Sequence, residues 1–542
     1  MTADANQPPP FEGRNLYLAD RALQDAVARE GGAWAQQSLA AWGERLGSAE
    51  TLSLAARANR FPPELRTHDR YGERLDEVAF DPAWHELMAL AMRAGEHCLP
   101  WVEPRAGAQV ARAAAYLLHA EVENGTQCPL TMTFAAVPVL RRHGGAVPQG
   151  ALCLERALAR DYDPRSLPVS VKRSALIGMG MTERQGGSDV RANATRAERA
   201  AEGDYRLTGH KWFFSAPMSD AHLVLAQADG GLSCFLLPRM LADGTRNAVR
   251  LVRLKDKLGN RSNASAEVEF AGARAWLLGE EGRGVPVIIE MVQHTRLDCA
   301  IGSAGIVRGA VARALHHASY RRAFGRRLAE HPLLQNVLAD LVLEADAATA
   351  LALRLARAFE ADAPPSDQAF ARLATPAIKY WVCKRAPTVL AEAMEVLGGN
   401  GYVEDSELPR FYREAPLNSI WEGSGNVMCL DVLRAARRDA HAVECLLAEL
   451  EAARGGDARL DRHAAALART LRDGVPEERD GRRMAAAIAV ALAAAIMIRH
   501  GATGTAGAFC ASRLDEAAHG LGTLPAGIDC SALIAARLEG TG

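Results

Sequence analysis

The sequence predicts an α+β protein in which an antiparallel sheet or barrel is inserted between helical regions. Ala/Leu/Arg-rich helical text runs from about Leu18 to Leu167, including Trp84 to Arg93 and Val110 to Glu123. Several short apolar or alternating runs follow with no helix between them, and the helical period returns after Gly284. A chain of 542 residues also exceeds what one hydrophobic core can hold. We therefore expect a helical domain over 1–175, a β domain over 176–285, a helical bundle over 286–438 and a helical C-terminal extension over 439–542.

The strand candidates are Tyr205 to Gly209, His222 to Gln227, Leu232 to Leu237 and Ala264 to Phe270, separated by Gly- and Asp-containing turns. In the last of these Ala264, Ala266, Val268 and Phe270 share one face. Beyond Gly284, Leu297, Ile301, Ala304, Val311 and Leu315 form one helical stripe. Pro332 opens the next helix, Pro364 and Pro365 separate it from its successor, and Gly455-Gly456 falls within the extension. The apolar run Met484 to Ile498 is fifteen residues of mostly Ala bracketed by Arg482, Arg483 and Arg499, which reads as a buried helix and not as a membrane span.

Composition narrows the function classes. A net charge of -2 denies the chain the overall basic field typical of nucleic-acid binders, so any such contact must come from a local patch. The ten cysteines show no metal-ligand spacing, so no metal site is expected and the thiols read as reduced and packed. The polar, Pro-rich start has no secretory pattern, and a cytoplasmic location is the expectation.

Three clusters carry chemistry. Met179 to Asp189 (MGMTERQGGSD) is a loop of glycines and small hydroxyls that lets the backbone approach a flat or anionic ligand, although Gly-Gly-Ser is equally a plain turn. Gly209 to Ser215 (GHKWFFS) ends a strand with aromatics that suit a ring system or a core. Ser419 to Asn426 (SIWEGSGN) places a carboxylate between an aromatic and a glycine-rich turn, just before a helix whose N-terminus suits a phosphate. A lone Glu is also an ordinary surface residue or helix-start anion.

In this order the clusters resemble those of the acyl-CoA dehydrogenases. Lys257-Leu258-Gly259, Leu278 to Gly284, Arg321 with Phe324-Gly325, Gln335 to Asp340, and Gly398 to Tyr402 add to the likeness. Asn15 to Asp20, Asn260-Arg261-Ser262-Asn263 and the long extension resemble the AidB-type branch, associated with the response to DNA alkylation. The resemblance implies the acyl-CoA dehydrogenase fold and FAD held between the sheet domain and the third helical domain. Met181, Thr182, Gln185, Gly187 and Ser188 would contact the flavin from one loop, and Trp212, Phe213, Phe214 and Ser215 from the sheet. Trp421, Gly423, Ser424 and Asn426 would lie near the ring and pyrophosphate, and Arg321 would reach the FAD of a neighbouring subunit in a homotetramer. Glu422 would be the base that removes a proton alpha to a carbonyl, since Thr295 stands where some relatives carry the base.

Departures are also legible. Phe214 replaces the usual Thr, Ser215 the usual Asn, and Glu395 the usual Gln, which points to weak dehydrogenase turnover. Two functions follow. One is an AidB-type protein that binds double-stranded DNA and protects it or removes alkylating agents. The other is a conventional flavin enzyme acting on an acyl-CoA-like or nitroalkane-like substrate. The extension holds 11 Arg, no Lys and 14 acidic residues, so it is no footprint by itself. Arg434, Arg437 and Arg438, joined by Arg482, Arg483 and Arg499, are the candidate nucleic-acid patch, with helix C-terminal cations facing water as the alternative.

Overall fold

The computed structural model describes residues 6–501, 503–515 and 520–538. The chain forms two compact units that it enters more than once. One comprises 1–52, 104–122 and 296–542, and the other 53–103 and 123–295.

The second unit is built around strands β1 (Glu64–His68), β2 (Arg74–Ala79), β3 (Ile177–Gly180), β4 (Arg196–Arg199), β5 (Tyr205–Ser215), β6 (Ala221–Ala228), β7 (Gly231–Pro238), β8 (Val249–Leu254) and β9 (Ser265–Leu278). The order β6-β4-β5-β9-β7 returns to β6 through a β6–β7 pairing, so five strands close into a ring, with β3 added on β6 and β8 on β9. Closure leaves few unpaired edges. Leu207, Phe214, Val224, Phe235, Leu237, Val268 and Phe270 fill its core. The pairing is mostly antiparallel, but β3 and β4 both run parallel to β6.

The N-terminal region is helical with one exception: β1 and β2 form an antiparallel hairpin. Asp69 makes its turn, its carboxylate accepting from the Tyr71 and Glu73 N–H groups at 2.8 and 2.9 Å, with Gly72 at φ +86°. Leu65 and Val78 pack on the barrel core, and Asp76 accepts from the Leu251 N–H of β8 at 3.0 Å. Next, the helix Pro82–Ala94 starts where Asp81 caps Ala83 N–H at 2.9 Å and Pro82 presets the first turn, and it stops at Gly95, φ +82°.

The first unit is helical. Long helices Pro332–Arg357 and Pro365–Val396 pack with the C-terminal part of Gly284–Tyr320 around Val307, Val311, Leu341, Val389 and Phe411. The extension adds helices Ala440–Glu451, Ala458–Asp473, Gly481–His500, Thr503–Cys510 and Cys530–Leu538. Glu478–His500 is the one stretch among the described residues long and apolar enough to cross a membrane, yet 67% of its apolar window is buried inside the protein. It packs on Pro332–Arg357, Pro365–Val396 and Gly425–Arg438 as a core helix.

Buried ion pairs fasten this extension. Arg537 bonds Asp346 at 2.8 Å and Asp20, which also receives Arg308. Arg513 reaches Asp340 and Glu344. Removing one member would strand a buried charge, so these contacts fix where the extension docks.

Candidate functional site

The turn that carries Glu422 is held from inside the helical unit. Glu422 has φ +58° and Gly423 φ +100°, two left-handed residues in succession. At Gly423 a Cβ would sit 2.5 Å from Met428 Cε, so glycine is required there by space as well as by conformation. The Lys379 Nζ donates to the carbonyls of Trp421 and Gly423, both at 2.6 Å, and the Arg296 Nε donates to the Glu422 carbonyl at 3.0 Å. Lys379 and Arg296 are 1% and 7% exposed. A left-handed non-glycine residue costs about 1–3 kcal/mol. Each hydrogen bond from a charged donor returns about 1.5–3 kcal/mol, so three of them outweigh the strain.

Further supports reach the same turn. Arg296 is oriented by Asp431 at 2.8 Å, which also meets Arg372 at 3.1 Å. The Trp421 indole N–H donates to Asn418 at 2.9 Å, Asn418 donates to Ser303 at 3.1 Å, and Ser303 donates to Cys383. Ser424 stands at the N-terminal boundary of the helix Gly425–Arg438 without a side-chain capping bond, and Asn426 accepts from Arg482 of the extension at 2.9 Å. Thr295, in the other unit, uses its hydroxyl to donate to the Val292 carbonyl within its own helix at 3.0 Å. A threonine hydroxyl is no general base at neutral pH.

The first two clusters come together in the barrel unit. The Trp212 N–H donates to the Thr182 carbonyl at 2.9 Å, tying the loop 181–188 to β5. Beneath that loop Glu183 accepts from Ala194 N–H (2.7 Å), Thr195 N–H (3.2 Å), the Thr195 hydroxyl (2.6 Å) and Lys211 Nζ (2.8 Å). Burial alone would lift its carboxyl, but the Lys211 ammonium and these donors hold it down to about 2. Gln185 donates to Glu183 and to the Ala192 carbonyl, both at 3.2 Å, so its side-chain amide pins the loop. A Cβ at Gly187 would lie 2.5 Å from the Thr182 hydroxyl, whereas Gly186 faces open space.

Phe214 corrects one expectation. Its ring is 1% exposed and stacks on His222 with centroids 4.1 Å apart, so its side chain belongs to the barrel core. The reason is a bulge: Lys211 pairs with Val268 and Phe214 with Ala266, which gives β5 an extra residue. The bulge leaves Phe213 53% exposed and Trp212 half-buried, with Lys255 Nζ 3.6 Å from the Trp212 ring centroid. Ser215 is half-buried.

The other predicted residues are dispersed. Arg321 is half-buried beside the hairpin Arg322–Ala323/Arg326–Arg327, whose tip Phe324 is 97% exposed, and its guanidinium donates to the Asn6 carbonyl. Arg434, Arg437 and Arg438 are exposed around an open hollow of about 240 Å³ with Leu430, Leu433 and Glu478. Arg437 donates to the Pro476 carbonyl at 2.7 Å, Arg483 pairs with Asp480, and Arg499 pairs with Glu449. No cluster of metal-ligating side chains occurs among the described residues.

The residues present fit the flavin that the resemblance implies. In the barrel unit, a rigid loop of small residues lies next to a bulge that leaves Phe213 exposed and Trp212 partly so. In the helical unit, a strained carboxylate-bearing turn opens a helix.

Comparison with known proteins agrees. Residues 6–164 match the family model described as the adaptive response protein AidB N-terminal domain. Residues 178–273 and 282–436 match the acyl-CoA dehydrogenase middle and C-terminal domains. The chain is 52% identical over 94% of its length, and 94% of the relative's, to the putative acyl-CoA dehydrogenase AidB of Escherichia coli K12. It is 32% identical over 77% of its length, and 69% of the relative's, to acyl-CoA dehydrogenase family member 11 of Caenorhabditis elegans. A crystal structure of a Caenorhabditis elegans relative in complex with C11-CoA superposes with a TM-score of 0.86 at 26% identity, covering 95% of this chain and 94% of that one. The chain therefore belongs to the acyl-CoA dehydrogenase family, on its AidB branch.

Proposed function

We propose that the chain is an FAD-dependent oxidoreductase that removes a proton and a hydride from adjacent carbons of an acyl-CoA-class substrate, with Glu422 as the base. The observation that carries this is the clamped turn: a carboxylate-bearing residue is kept in a costly conformation by two buried cations, an arrangement that a surface glutamate does not need. When bound, FAD supplies the acceptor for the hydride. The chain contributes Glu422 to take the α-proton, the bulge at Trp212 and Phe213 as an aromatic surface, and the loop 181–188, with Met181, Thr182, Gly187 and Ser188, as a preshaped backbone. A homotetramer in the cytoplasm is part of this reading.

The test is Glu422→Gln in the flavin-loaded protein. FAD stays bound while bleaching of its visible absorbance by an acyl-CoA disappears. Bleaching at the parent rate would remove Glu422 from the role.

A second role is supported by the match of residues 6–164 to a family described by its adaptive response. In that role the protein acts in the response to DNA alkylation, by binding double-stranded DNA or by removing alkylating agents, and acyl-CoA turnover is weak. Arg434, Arg437 and Arg438 are the candidate contacts. Fluorescence anisotropy with duplex DNA at two salt concentrations tests it. Micromolar or tighter binding that weakens with salt supports the role, and no binding at low salt leaves a flavin enzyme of acyl-CoA or nitroalkane substrates.

A further inference from the structure

Lys379 lies in the middle of the helix Pro365–Val396, between Ile378 and Tyr380, with 1% of its surface exposed. A buried lysine is expensive unless its charge is met, and here it is met by backbone oxygens. Its ammonium donates to the carbonyls of Trp421 and Gly423 at 2.6 Å each, the two residues that flank Glu422. One donor therefore grips the chain on both sides of the base, while Arg296 takes the carbonyl of Glu422 itself. With all three carbonyls tied inward, the backbone of Glu422 is fixed at φ +58°.

We propose that Lys379 is a positioning residue for the reaction: it acts through the backbone to fix Glu422 against its substrate. The inference rests on the reading of Glu422 as base. It implies that Lys379 affects the chemical step and not the affinity for substrate or cofactor, because the hydrogen bonds of its ammonium go to the turn. It also implies that the role vanishes once Glu422 is gone.

The experiment compares the flavin-loaded parent protein with Lys379→Met, Glu422→Gln and the double variant. Each is mixed with a panel of acyl-CoAs that includes an eleven-carbon chain, and the rate of flavin bleaching is followed against substrate concentration. Lys379→Met keeps an unbranched apolar stem one atom shorter and loses the donors. The expected result is a limiting rate lower by about 10- to 100-fold, the loss that a misplacement of about 1 Å produces. Half-saturation and FAD content stay unchanged, and the double variant is no worse than Glu422→Gln alone. A parent-like limiting rate in Lys379→Met, with Glu422→Gln inactive, overturns the role of Lys379 while the base assignment stands. Parent-like bleaching in Glu422→Gln overturns both. Lys379→Leu, which also removes the donors, is read in the same way where Lys379→Met does not fold. Failure of both variants to fold with flavin bound assigns Lys379 to fold stability and overturns the proposal.

Discussion

Glu183→Ala is the most exacting perturbation of the barrel unit. Both Glu183 and Lys211 have side chains at 0% exposure, 2.8 Å apart. Truncating the acid leaves the Lys211 ammonium with the Leu225 carbonyl, to which it donates at 2.8 Å, but with no counter-charge. Breaking a buried pair from one side costs about 3–5 kcal/mol. For a unit of this size that is a fall of roughly 6–20 °C in its unfolding temperature. The three contacts to Ala194 and Thr195 are lost as well, so the loop 181–188 loosens and flavin affinity falls. Calorimetry of the apo protein and fluorescence titration with FAD read the two effects separately. The double variant Glu183→Ala/Lys211→Met recovers part of the stability because no charge is stranded. The pH dependence has a fixed sign. A carboxyl lowered from 4.5 to about 2 contributes stability above 4.5, and the contribution is lost as pH falls toward 2. A single variant unfolding within about 2 °C of the parent, below the range set by a stranded charge, would refute the reasoning.

Glu121 titrates in the opposite sense. Burial raises it from 4.5 to about 6 despite Arg308 beside it, so its contribution is complete below 4.5 and lost as pH rises through 6. Glu121→Gln flattens that loss in urea midpoints measured across the same window. Phe214→Ala, which empties a site 1% exposed in the barrel core, costs about 3–5 kcal/mol in denaturant unfolding. FAD titration of that variant shows unchanged affinity, because the ring faces His222.

The sequence carries the fold where residues repeat with a period. Ala266, Val268 and Phe270 alternate along β9 and lie in the barrel core. The hairpin at 64–79 was not legible, because ELRTH and RLDEVA carry few β-branched or aromatic residues and gain their place by packing Leu65 and Val78 on a barrel formed much later in the chain. The bulge in β5 was hidden for a related reason. Strict alternation puts Trp212 and Phe214 on one face, and only the pairing with β9 shows the extra residue. Glu422 was legible through its neighbours in sequence. Its clamp was not, since Lys379 and Arg296 contact the turn from 42 and 126 positions away. The only local signal was a cation inside the apolar run from Ala377 to Val382.

The arginines of the extension bear on the DNA reading. Arg472, Arg499, Arg513 and Arg537 each meet a carboxylate, and Arg459 pairs with Asp457 at 2.7 Å. Their charge is met locally by these carboxylates, which is how a segment rich in arginine carries no net positive field. The candidate footprint contracts to Arg434, Arg437 and Arg438, and Arg437 is partly committed to the Pro476 carbonyl. Three cations neutralise at most three phosphates per protomer, so the logarithmic dependence of binding on salt should have a slope near -2.7 for one protomer's patch. A steeper slope demands more contacts than this patch offers, supplied either by exposed cations outside it such as Arg469 and Arg482 or by patches from several copies lining one duplex. Substituting Arg438 should reduce the slope by about one for each protomer engaged, so the size of that reduction reports how many protomers contact the duplex.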